Sequence, residues 1–394
     1  MMNRRDLLKL GAAGAWLPFL GPDVWAWANP SSGPEWARIV VLVELSGGND
    51  GLNTVIPIED DAYRSLRPRL AISKDDALKL DRGMAFHPAL KPLMGAWEQR
   101  ELATVLGVGY DDPNRSHFRS IEIWETGSNS TEFLEQGWLA RLFSSHRPPS
   151  ELAADGIVIG TGDQGPLHGS AIRTVVMRDA ERFTNAARKL RKLPEEGENP
   201  ALDHLLEVRK DLRRAATLIH EKREKTKLGV DFPNGRFSRS LKTAAELLVS
   251  KVPVAVVKVR HGGFDTHTGQ AGRHRALLTE LAGGLAAFRT AMQKAGLWDR
   301  VLVMTYSEFG RRAAENGSGG TDHGTAAPHL LLGGRVRGGV HGKQPSLTDL
   351  LPGGDLKHTV DYRSLYATVA QEWWRLPAAG SHSPLDLIRK SETL

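Results

Sequence analysis

The feature that most constrains the fold is a series of short apolar runs rich in β-branched residues. The runs are almost continuously apolar, which is typical of strands buried on both faces of a largely parallel sheet. The sequence therefore predicts strands at ARIVVLVEL (37–45), LATVLGVG (102–109), DGIVIG (155–160), VPVAVVKV (252–259), RVLVMTY (300–306) and HLLLGG (329–334).

Between these runs, apolar residues recur at helical spacing. The longest pattern covers 274–293, and similar patterns predict helices at 86–99, 237–250 and 361–374, the last beginning at Asp361 as a helix cap. Alternating strands and helices predict an α/β fold, a three-layer sandwich with a mostly parallel central sheet flanked by helices. We expect residues 29–394 to form a single domain. The more polar and less regular region around 161–232 is expected to be an insertion on the main sheet.

Composition excludes several classes of protein. Of the 394 residues, 40% are hydrophobic and 25% are charged, as in soluble globular proteins. The net charge of +6 is small for this length and the basic residues are scattered, so we expect no nucleic-acid partner. The basic run at 208–227 is interpreted as the solvated face of a helix. The sequence has no cysteine, which excludes disulfides, Cys-ligated metals and thiol nucleophiles.

The first 28 residues are typical of an export signal. Arg4 and Arg5 precede a short apolar stretch, and Ala26-Trp27-Ala28 is a small-x-small cleavage site. The order of residues in NRRDLLK resembles the twin-arginine signal, which implies passage through the twin-arginine translocase. No later segment has a transmembrane pattern. We therefore expect a periplasmic or secreted protein without stable membrane insertion.

Residues able to carry out chemistry follow the predicted strands. In an open α/β sheet, ligands bind outside the carboxyl ends of the strands, so we expect these side chains to share one rim. Acids and imidazoles without thiolates suit Zn, Mn or Fe, or Ca where histidines are fewer. The sequence therefore predicts a site for one or two divalent ions among Asp50, Asp111, Asp112, Ser116, His117, Asp265, His267, His274, Glu308, Arg311, Asp322 and His323.

Each of these residues also has a simpler interpretation. An Asp after a strand is commonly a turn former or a helix cap, and Glu308 with Arg311 is explained equally well as a structural ion pair. His274 suits helix packing as much as catalysis. These interpretations are independent of one another, whereas one metal site explains several positions together, and we therefore favour the metal site.

The order of the motifs also resembles a known family. SGGNDGLNTVIP, NRSHFRSIEIWETG, FDTHTGQ, SEFGR and GGTDHG resemble domain-of-unknown-function family 1501, whose members are bacterial and often exported by the twin-arginine pathway. The resemblance runs from about Val40 to Trp374. That family is similar to the superfamily of alkaline phosphatase, sulfatases and phosphoglycerate mutase. The resemblance implies an alkaline-phosphatase-like α/β core, usually two metal ions, and a nucleophilic Ser, Thr or modified Cys.

The resemblance implies roles for individual residues. Asp50 matches the acid after the first strand, Ser116 falls near the nucleophile, Asp265 and His267 resemble ligands of one metal, and Asp322 and His323 those of the other. It also implies a further histidine ligand, for which His329 and His341 are both candidates. Two spacings differ from those of the superfamily. One is the spacing between Asp265 and His267. The other is the spacing between Ser116 and Thr126-Gly127, and because of it His117 competes with Ser116 for the place of the nucleophile.

We favour an exported metal-dependent hydrolase of phosphate or sulfate esters. In this hypothesis Ser116 is the nucleophile, and Arg115 or Arg311 clamps the small anionic substrate. Zn is the favoured ion, with Mn, Fe or Ca as alternatives, and the candidate ligands are Asp50, Asp265, His267, Glu308, Asp322, His323 and His329.

Two other hypotheses remain open. The first is a non-catalytic exported protein that keeps the core to bind a glycan or a protein partner. The second is a peptidase or esterase using Ser116 and His117, which we disfavour because the sequence has no Gly-x-Ser-x-Gly elbow.

Overall fold

A computed structural model describes residues 34–189, 200–223, 228–377 and 380–390. The predicted export signal, 1–28, lies outside these residues. The strands are β1 (Ile39–Ser46), β2 (Val55–Ile56), β3 (Leu78–Lys79), β4 (Ala85–Phe86), β5 (Leu102–Gly109), β6 (Ala154–Ile159), β7 (Thr174–Met177), β8 (Val254–Gly262), β9 (Val301–Tyr306), β10 (Ala327–Leu332), β11 (Gly339–His341) and β12 (Val360–Asp361).

The central sheet has the strand order β11-β5-β10-β9-β1-β8-β6-β7, and β12 also pairs with β5. All neighbours are parallel except β10, which runs antiparallel to both β5 and β9. β2, β4 and β3 form a separate small antiparallel sheet, in that strand order. The predicted mostly parallel central sheet is therefore confirmed.

The α-helices are α1 (Asp61–Leu66), α2 (Met94–Glu98), α3 (His117–Thr126), α4 (Trp138–Ser145), α5 (Ala180–Arg188), α6 (Pro200–Arg223), α7 (Arg236–Val249), α8 (Gln270–Lys294) and α9 (Arg363–Ala367). Single 3-10 turns cover Gly51–Asn53, Gly165–Leu167 and Trp298–Arg300, and a π-helical turn, Thr368–Trp373, extends α9. None of the helices in the described ranges is both long and apolar enough to cross a membrane.

Side chains of β1 supply both faces of the sheet, because successive residues of a strand point to opposite sides. Val41 and Val43 pack in a core shared with α7 and α8. Val40 and Leu42 pack in a second core, shared with α3, α4 and α9. The sheet is thus covered by helices on both faces, as the three-layer prediction requires.

Two predicted helices differ from the structure in their details. The segment 86–99 begins as a 3-10 helix, Pro88–Leu93, because Pro92 has no N–H for an α-helical hydrogen bond, and continues as α2. α9 begins at Arg363, and Asp361 Oδ1 accepts the backbone N–H of Arg363 at 2.8 Å, so Asp361 acts as a cap just outside the helix.

The region 161–232 contains β7, α5 and α6, and β7 is the edge strand of the central sheet next to β6. Residues 190–199 and 224–227 of it lie outside the described part of the chain. The division into a single domain with an insertion stays a prediction.

Candidate metal centre

The loops that carry the predicted site residues meet at the carboxyl edge of the central sheet. β1, β8 and β9 are parallel neighbours, so the segments that follow them leave the sheet at the same edge. β10 is antiparallel to β9, and the segment before it, with Asp322 and His323, therefore reaches that edge too. α3 starts there with His117, after β5.

Two glycines allow the loop of Asp322 and His323 to lie directly against its neighbours. A Cβ atom on Gly320 would overlap the backbone of His267, and one on Gly324 would overlap the backbone of Arg311. Only a residue without a side chain fits such close approaches. The segment is rich in glycine because two other loops of the site pass directly against it.

Three imidazoles and one carboxylate converge between these loops. His267 Nε2 lies 2.9 Å from His323 Nε2, and Asp265 Oδ1 lies 3.1 and 3.2 Å from these two atoms. His117 Nε2 is 3.5 Å from Asp265 Oδ2. Ligands about 2.0–2.2 Å from a tetrahedral zinc ion are roughly 3.3 Å from one another. His117, Asp265 and His323 each offer a ligand atom within 4.8 Å of the other two, which is compatible with a ligand shell, and His267 adjoins them through Asp265 and His323. We call His117, Asp265, His267 and His323 the His–Asp cluster.

The second nitrogen of each imidazole contacts an acceptor outside the cluster. His323 Nδ1 lies 2.9 Å from the carbonyl oxygen of Arg115. His117 Nδ1 lies 2.8 Å from Glu308 Oε1, and His267 Nδ1 lies 3.3 Å from Asp322 Oδ1. A carbonyl or carboxylate oxygen only accepts, so each Nδ1 is the donor in these contacts and Nε2 of each ring is left facing the cluster.

The groups around Asp265 and His117 shift the pKa of each side chain towards its charged form. Burial alone would raise the pKa of Asp265, but the hydrogen bond and charge of Arg311, together with His323, outweigh it and lower this pKa to about 2. The hydrogen bond to Glu308 raises the pKa of His117, and burial opposes this effect. Burial lowers the pKa of His323 below its usual value. Asp265 is therefore an anion at neutral pH, as a cation ligand should be.

Arg311 connects the loops of the site and is not available as a substrate clamp. Its side chain is buried, and it donates to the carbonyl oxygens of Gly47, Gly48, Phe264 and Thr321. It also donates to Asp265 Oδ1 at 2.7 Å. The expectation of an anion clamp at Arg311 does not fit this arrangement, because every nitrogen of its guanidinium already has a protein acceptor.

Ser116 and Arg115 lie beside the cluster at the start of α3. Ser116 is the exposed residue preceding α3, and its hydroxyl makes no capping hydrogen bond to the helix. Arg115 is 43% exposed at its side chain, and its Nη1 lies 3.0 Å from Asp355 Oδ2. Of the two expected clamps, Arg115 is thus the one with an accessible guanidinium.

Asp50 does not join the His–Asp cluster. Its fully buried carboxylate pairs with Arg67 at 2.6 Å and accepts a short hydrogen bond from Gln270. Burial favours the neutral form, but Arg67, His274 and Gln270 together lower the pKa of Asp50. The resemblance gave Asp50 the role of a ligand, whereas here its charge is already compensated by Arg67, a partner that no sequence pattern indicates.

The remaining histidines also lie elsewhere. His329, on β10, is buried against Trp124 with ring centroids 5.0 Å apart, and neither ring nitrogen has a protein partner among the described residues. His341 contacts the carbonyl oxygen of Arg337 at 2.7 Å, and His274 contacts Asn49 Oδ1 at 2.9 Å. The structure therefore brings neither His329 nor His341 to the cluster, and His274 packs inside the fold.

Sequence reasoning missed a buried charged group on the α3 side of the sheet. Lys258 Nζ lies 3.2 Å from Glu44 Oε2, 3.0 Å from Glu125 Oε1 and 3.2 Å from Asp163 Oδ2. Burial raises the pKa of Glu125 to about 7, although Lys258 opposes this. The signal that could have revealed this group is a charged residue inside each of two apolar runs. These residues are Glu44 and Lys258.

The donor set of the His–Asp cluster fits a divalent transition metal. Three imidazoles and a carboxylate, with oxygen acceptors behind the rings, are ligands that zinc accepts and that manganese and iron share. The side chains of Asp265 and His267 are 45% and 40% exposed, so the cluster is open to solvent on one side. An ion there would be accessible to a small molecule.

Comparison with protein families assigns the chain to one of them. The family described as "Protein of unknown function (DUF1501)" has a model that matches residues 73–387. The chain belongs to this family. The matched region contains the whole His–Asp cluster and begins after Asp50. No curated protein matches the chain in sequence.

Solved structures with a similar fold share little sequence with the chain. The C-terminal periplasmic domain of EcEptC from Escherichia coli, in complex with Zn, is 10% identical, with 77% of this chain and 74% of that chain covered and a TM-score of 0.39. A protein in the alkaline phosphatase superfamily from Vibrio parahaemolyticus is 12% identical, with 95% and 76% covered and a TM-score of 0.38. The lipoteichoic acid synthase LtaP from Listeria monocytogenes is 10% identical, with 91% and 78% covered and a TM-score of 0.38. These likenesses are too distant to assign an activity to this chain.

Proposed function

We propose that the protein is a metal-dependent hydrolase of phosphate or sulfate esters, with the metal held by His117, Asp265, His267 and His323. One observation carries the proposal: the three imidazoles each have Nδ1 bound to an oxygen acceptor, and their Nε2 atoms converge on one carboxylate. His267 Nε2 and His323 Nε2 are 2.9 Å apart, so without a cation one of them would have to carry a proton. A divalent ion is the group that would make the arrangement favourable.

A bound divalent ion would supply positive charge that stabilises negative charge developing on the ester oxygens. The residues of the chain would orient that ion and its substrate. Glu308 and Asp322 hold the Nδ1 protons of His117 and His267 and so fix both rings. Arg311 holds the ligand Asp265 in place through a 2.7 Å hydrogen bond.

The substrate side of the proposed mechanism depends on residues at the start of α3. The ten-residue helix places its amino terminus, which favours anions, next to the cluster. Ser116 is exposed there and is the proposed nucleophile. Arg115, one residue earlier, is the accessible guanidinium that would bind a non-bridging oxygen of the phosphate or sulfate group.

The first experiment measures metal binding to the full chain. Competition with a chromogenic zinc chelator should give a single tight site, and His323→Ala should abolish it. Asp322→Leu, which removes the acceptor behind His267, should weaken zinc binding about 10–100-fold, whereas Asp322→Asn keeps an acceptor and should weaken it less. The matched control is Asp349→Leu, because Asp349 is a surface carboxylate paired with Lys357. Zinc binding that survives His323→Ala would contradict the proposed centre.

The second experiment measures turnover. Zinc-loaded and metal-stripped protein are compared on phosphomonoesters, phosphodiesters and sulfate esters, and Ser116→Ala and His323→Ala are measured on any ester that is hydrolysed. Both variants should lose activity, but only His323→Ala should lose the metal. Activity that is unchanged in Ser116→Ala would contradict the role of Ser116. No turnover by zinc-loaded protein would contradict the hydrolase proposal.

A second function, non-catalytic binding of a glycan or a protein partner at the same centre, is favoured by one observation. No general base is hydrogen-bonded to Ser116 among the described residues. The two functions differ in their expected results: a binding protein would take up zinc and be stabilised by it, yet would hydrolyse no ester.

We also propose that the chain is exported through the twin-arginine translocase, on the strength of the sequence pattern at 1–28. Replacing Arg4 and Arg5 together by lysine keeps the charge and removes the paired guanidiniums. Cell fractionation should then find the protein retained inside the cell, while the unmodified chain is found outside the cytoplasm. Equal export of both would contradict this proposal.

A further inference from the structure

A second charged cavity lies at the opposite end of the central sheet from the His–Asp cluster. It has a volume of about 340 Å³ and is lined by Arg38, Gln371, Glu372, Arg375, Ile388, Arg389 and Lys390. Arg38 directly precedes β1, whereas the loops of the cluster follow the other end of that strand. An eight-residue strand spans about 25 Å, so the cavity is separate from the candidate metal centre.

Positive charge predominates around this cavity. The lining has four cationic side chains and, among the described residues, a single carboxylate, Glu372. A further carboxylate, Glu35, lies beside the cavity and pairs with Arg38 at 3.4 Å and with Arg375 at 3.1 Å. Even when Glu35 is counted, the cations exceed the carboxylates by two, so the cavity is suited to an anion.

Arg38 makes this a built site rather than a patch of surface cations. Its side chain is only 7% exposed, and Nη1 donates to the carbonyl oxygen of Trp373 at 2.6 Å. Burial lowers the pKa of Arg38 to about 10; Glu35 opposes this, and Arg335 and Arg375 lower the pKa further. A buried guanidinium that neighbouring cations destabilise would gain from an anion beside it.

Arg375 lies on the rim of the cavity, directly after Trp374, the C-cap of the helical turn Thr368–Trp373. Its φ is +58°, a left-handed value that is uncommon for residues other than glycine. A left-handed residue directly after a C-cap is a common way for a helix to end. From this position the guanidinium of Arg375 lines the cavity and contacts Glu35.

We propose that this cavity binds the phosphate or sulfate group of a small molecule. Guanidinium groups recognise tetrahedral oxyanions through several N–H donors, and Lys390 adds a further charge. The volume is that of a small-molecule pocket, for which about 300 Å³ is the lower limit, and it leaves room for a group attached to the oxyanion. Ile388 provides an apolar wall for that group. Free phosphate and a phosphorylated sugar offer the same chemistry, and the experiment below separates them.

The test uses calorimetric titration of the metal-free full chain with inorganic phosphate, glucose 6-phosphate and glucose. Both phosphates or one of them should bind and glucose should not. The double variant Arg375→Gln/Lys390→Gln should weaken binding at least about tenfold, because charge-assisted hydrogen bonds are lost. Glu372→Gln, which removes the carboxylate of the lining, should instead strengthen binding.

Two controls make the result decisive. Arg182→Gln/Lys74→Gln removes the same net charge from exposed ion pairs elsewhere and should leave the affinity within about twofold. His323→Ala should leave it unchanged, because the His–Asp cluster is a separate site. Tighter binding of glucose 6-phosphate identifies an esterified ligand, and tighter binding of inorganic phosphate identifies the free ion. No binding, an equal loss in the control double variant, or loss in His323→Ala overturns the proposal. Lys390→Gln alone tests it again if the double variant does not fold.

Discussion

Replacing His329 by leucine should stabilise the protein and leave metal binding unchanged. His329 is 1% exposed on β10, packs against Trp124, and has no protein partner for either ring nitrogen among the described residues. A buried polar group without a partner costs about 1–3 kcal/mol. Leucine has a similar volume and no polar atom, so His329→Leu should gain about that amount at pH 7.5.

The gain should increase in acid. Burial lowers the pKa of His329 from 6.5 to about 3, so the folded state binds fewer protons than the unfolded state between these two values. Stability that depends on His329 is therefore lost as the pH falls below 6.5. At pH 5 the imidazole is protonated in the unfolded state but not in the folded state. The unfolded-state pKa lies about 1.5 units above this pH, which stabilises the unfolded state by about 2 kcal/mol. His329→Leu has no imidazole at this position and therefore should not lose stability in this way.

Urea unfolding at pH 7.5 and pH 5 measures both effects. The difference in unfolding free energy between His329→Leu and the unmodified chain should widen by about 2 kcal/mol at the lower pH. The same replacement at His168, which is exposed, controls for removal of a surface imidazole. Zinc affinity should be equal in all three proteins. A difference that does not change with pH, or a lower zinc affinity in His329→Leu, would show that His329 is not a neutral core residue.

Three further outcomes concern Arg311, Glu125 and the proposed zinc ion. Arg311→Lys cannot reproduce the guanidinium fork, so several charge-assisted hydrogen bonds are lost. Urea unfolding should show a free energy of unfolding lower by about 2–4 kcal/mol. A loss below about 0.5 kcal/mol would contradict the role of Arg311 in holding the loops together. Because burial raises the pKa of Glu125 to about 7, the unfolding free energy of the unmodified chain relative to that of Glu125→Gln should fall by up to about 3 kcal/mol as the pH rises from 4.5 to 7, measured by urea unfolding of both proteins across this range. Chelation of zinc-loaded protein should lower its melting temperature by several degrees but leave that of Asp265→Asn unchanged, and an equal shift in both would place the ion elsewhere.

The main elements of the central sheet could be predicted because buried parallel strands have a local signature. The run at 102–109 coincides with β5, and the run at 300–306 differs from β9 by a single residue. β11 and β12, with three and two residues, are too short to produce such a pattern. Family membership was also predicted correctly, because it rests on short motifs in a fixed order.

The candidate site could be predicted only as a set of residues, not as a set of roles. His117, Asp265, His267 and His323 were all singled out as strand-end residues, and the structure brings them together. Sequence cannot tell which of two carboxylates faces a cation and which faces the far nitrogen of a histidine. Asp265 is at the centre of the cluster, whereas Glu308 and Asp322 lie behind the rings.

The distinction between one ion and two depends on Asp50. A second ion at Asp50 would have to bind Oδ1, which has no hydrogen-bond partner among the described residues, because Oδ2 pairs with the fully buried Arg67 at 2.6 Å. Arg67 is held there, since it also donates to the carbonyl oxygens of Arg312 and Ala313. Two cations around one buried carboxylate would leave a positive charge uncompensated, and an uncompensated buried charge costs about 3–5 kcal/mol. We therefore expect one zinc ion per chain, and Asp50→Asn should change stability without changing that stoichiometry.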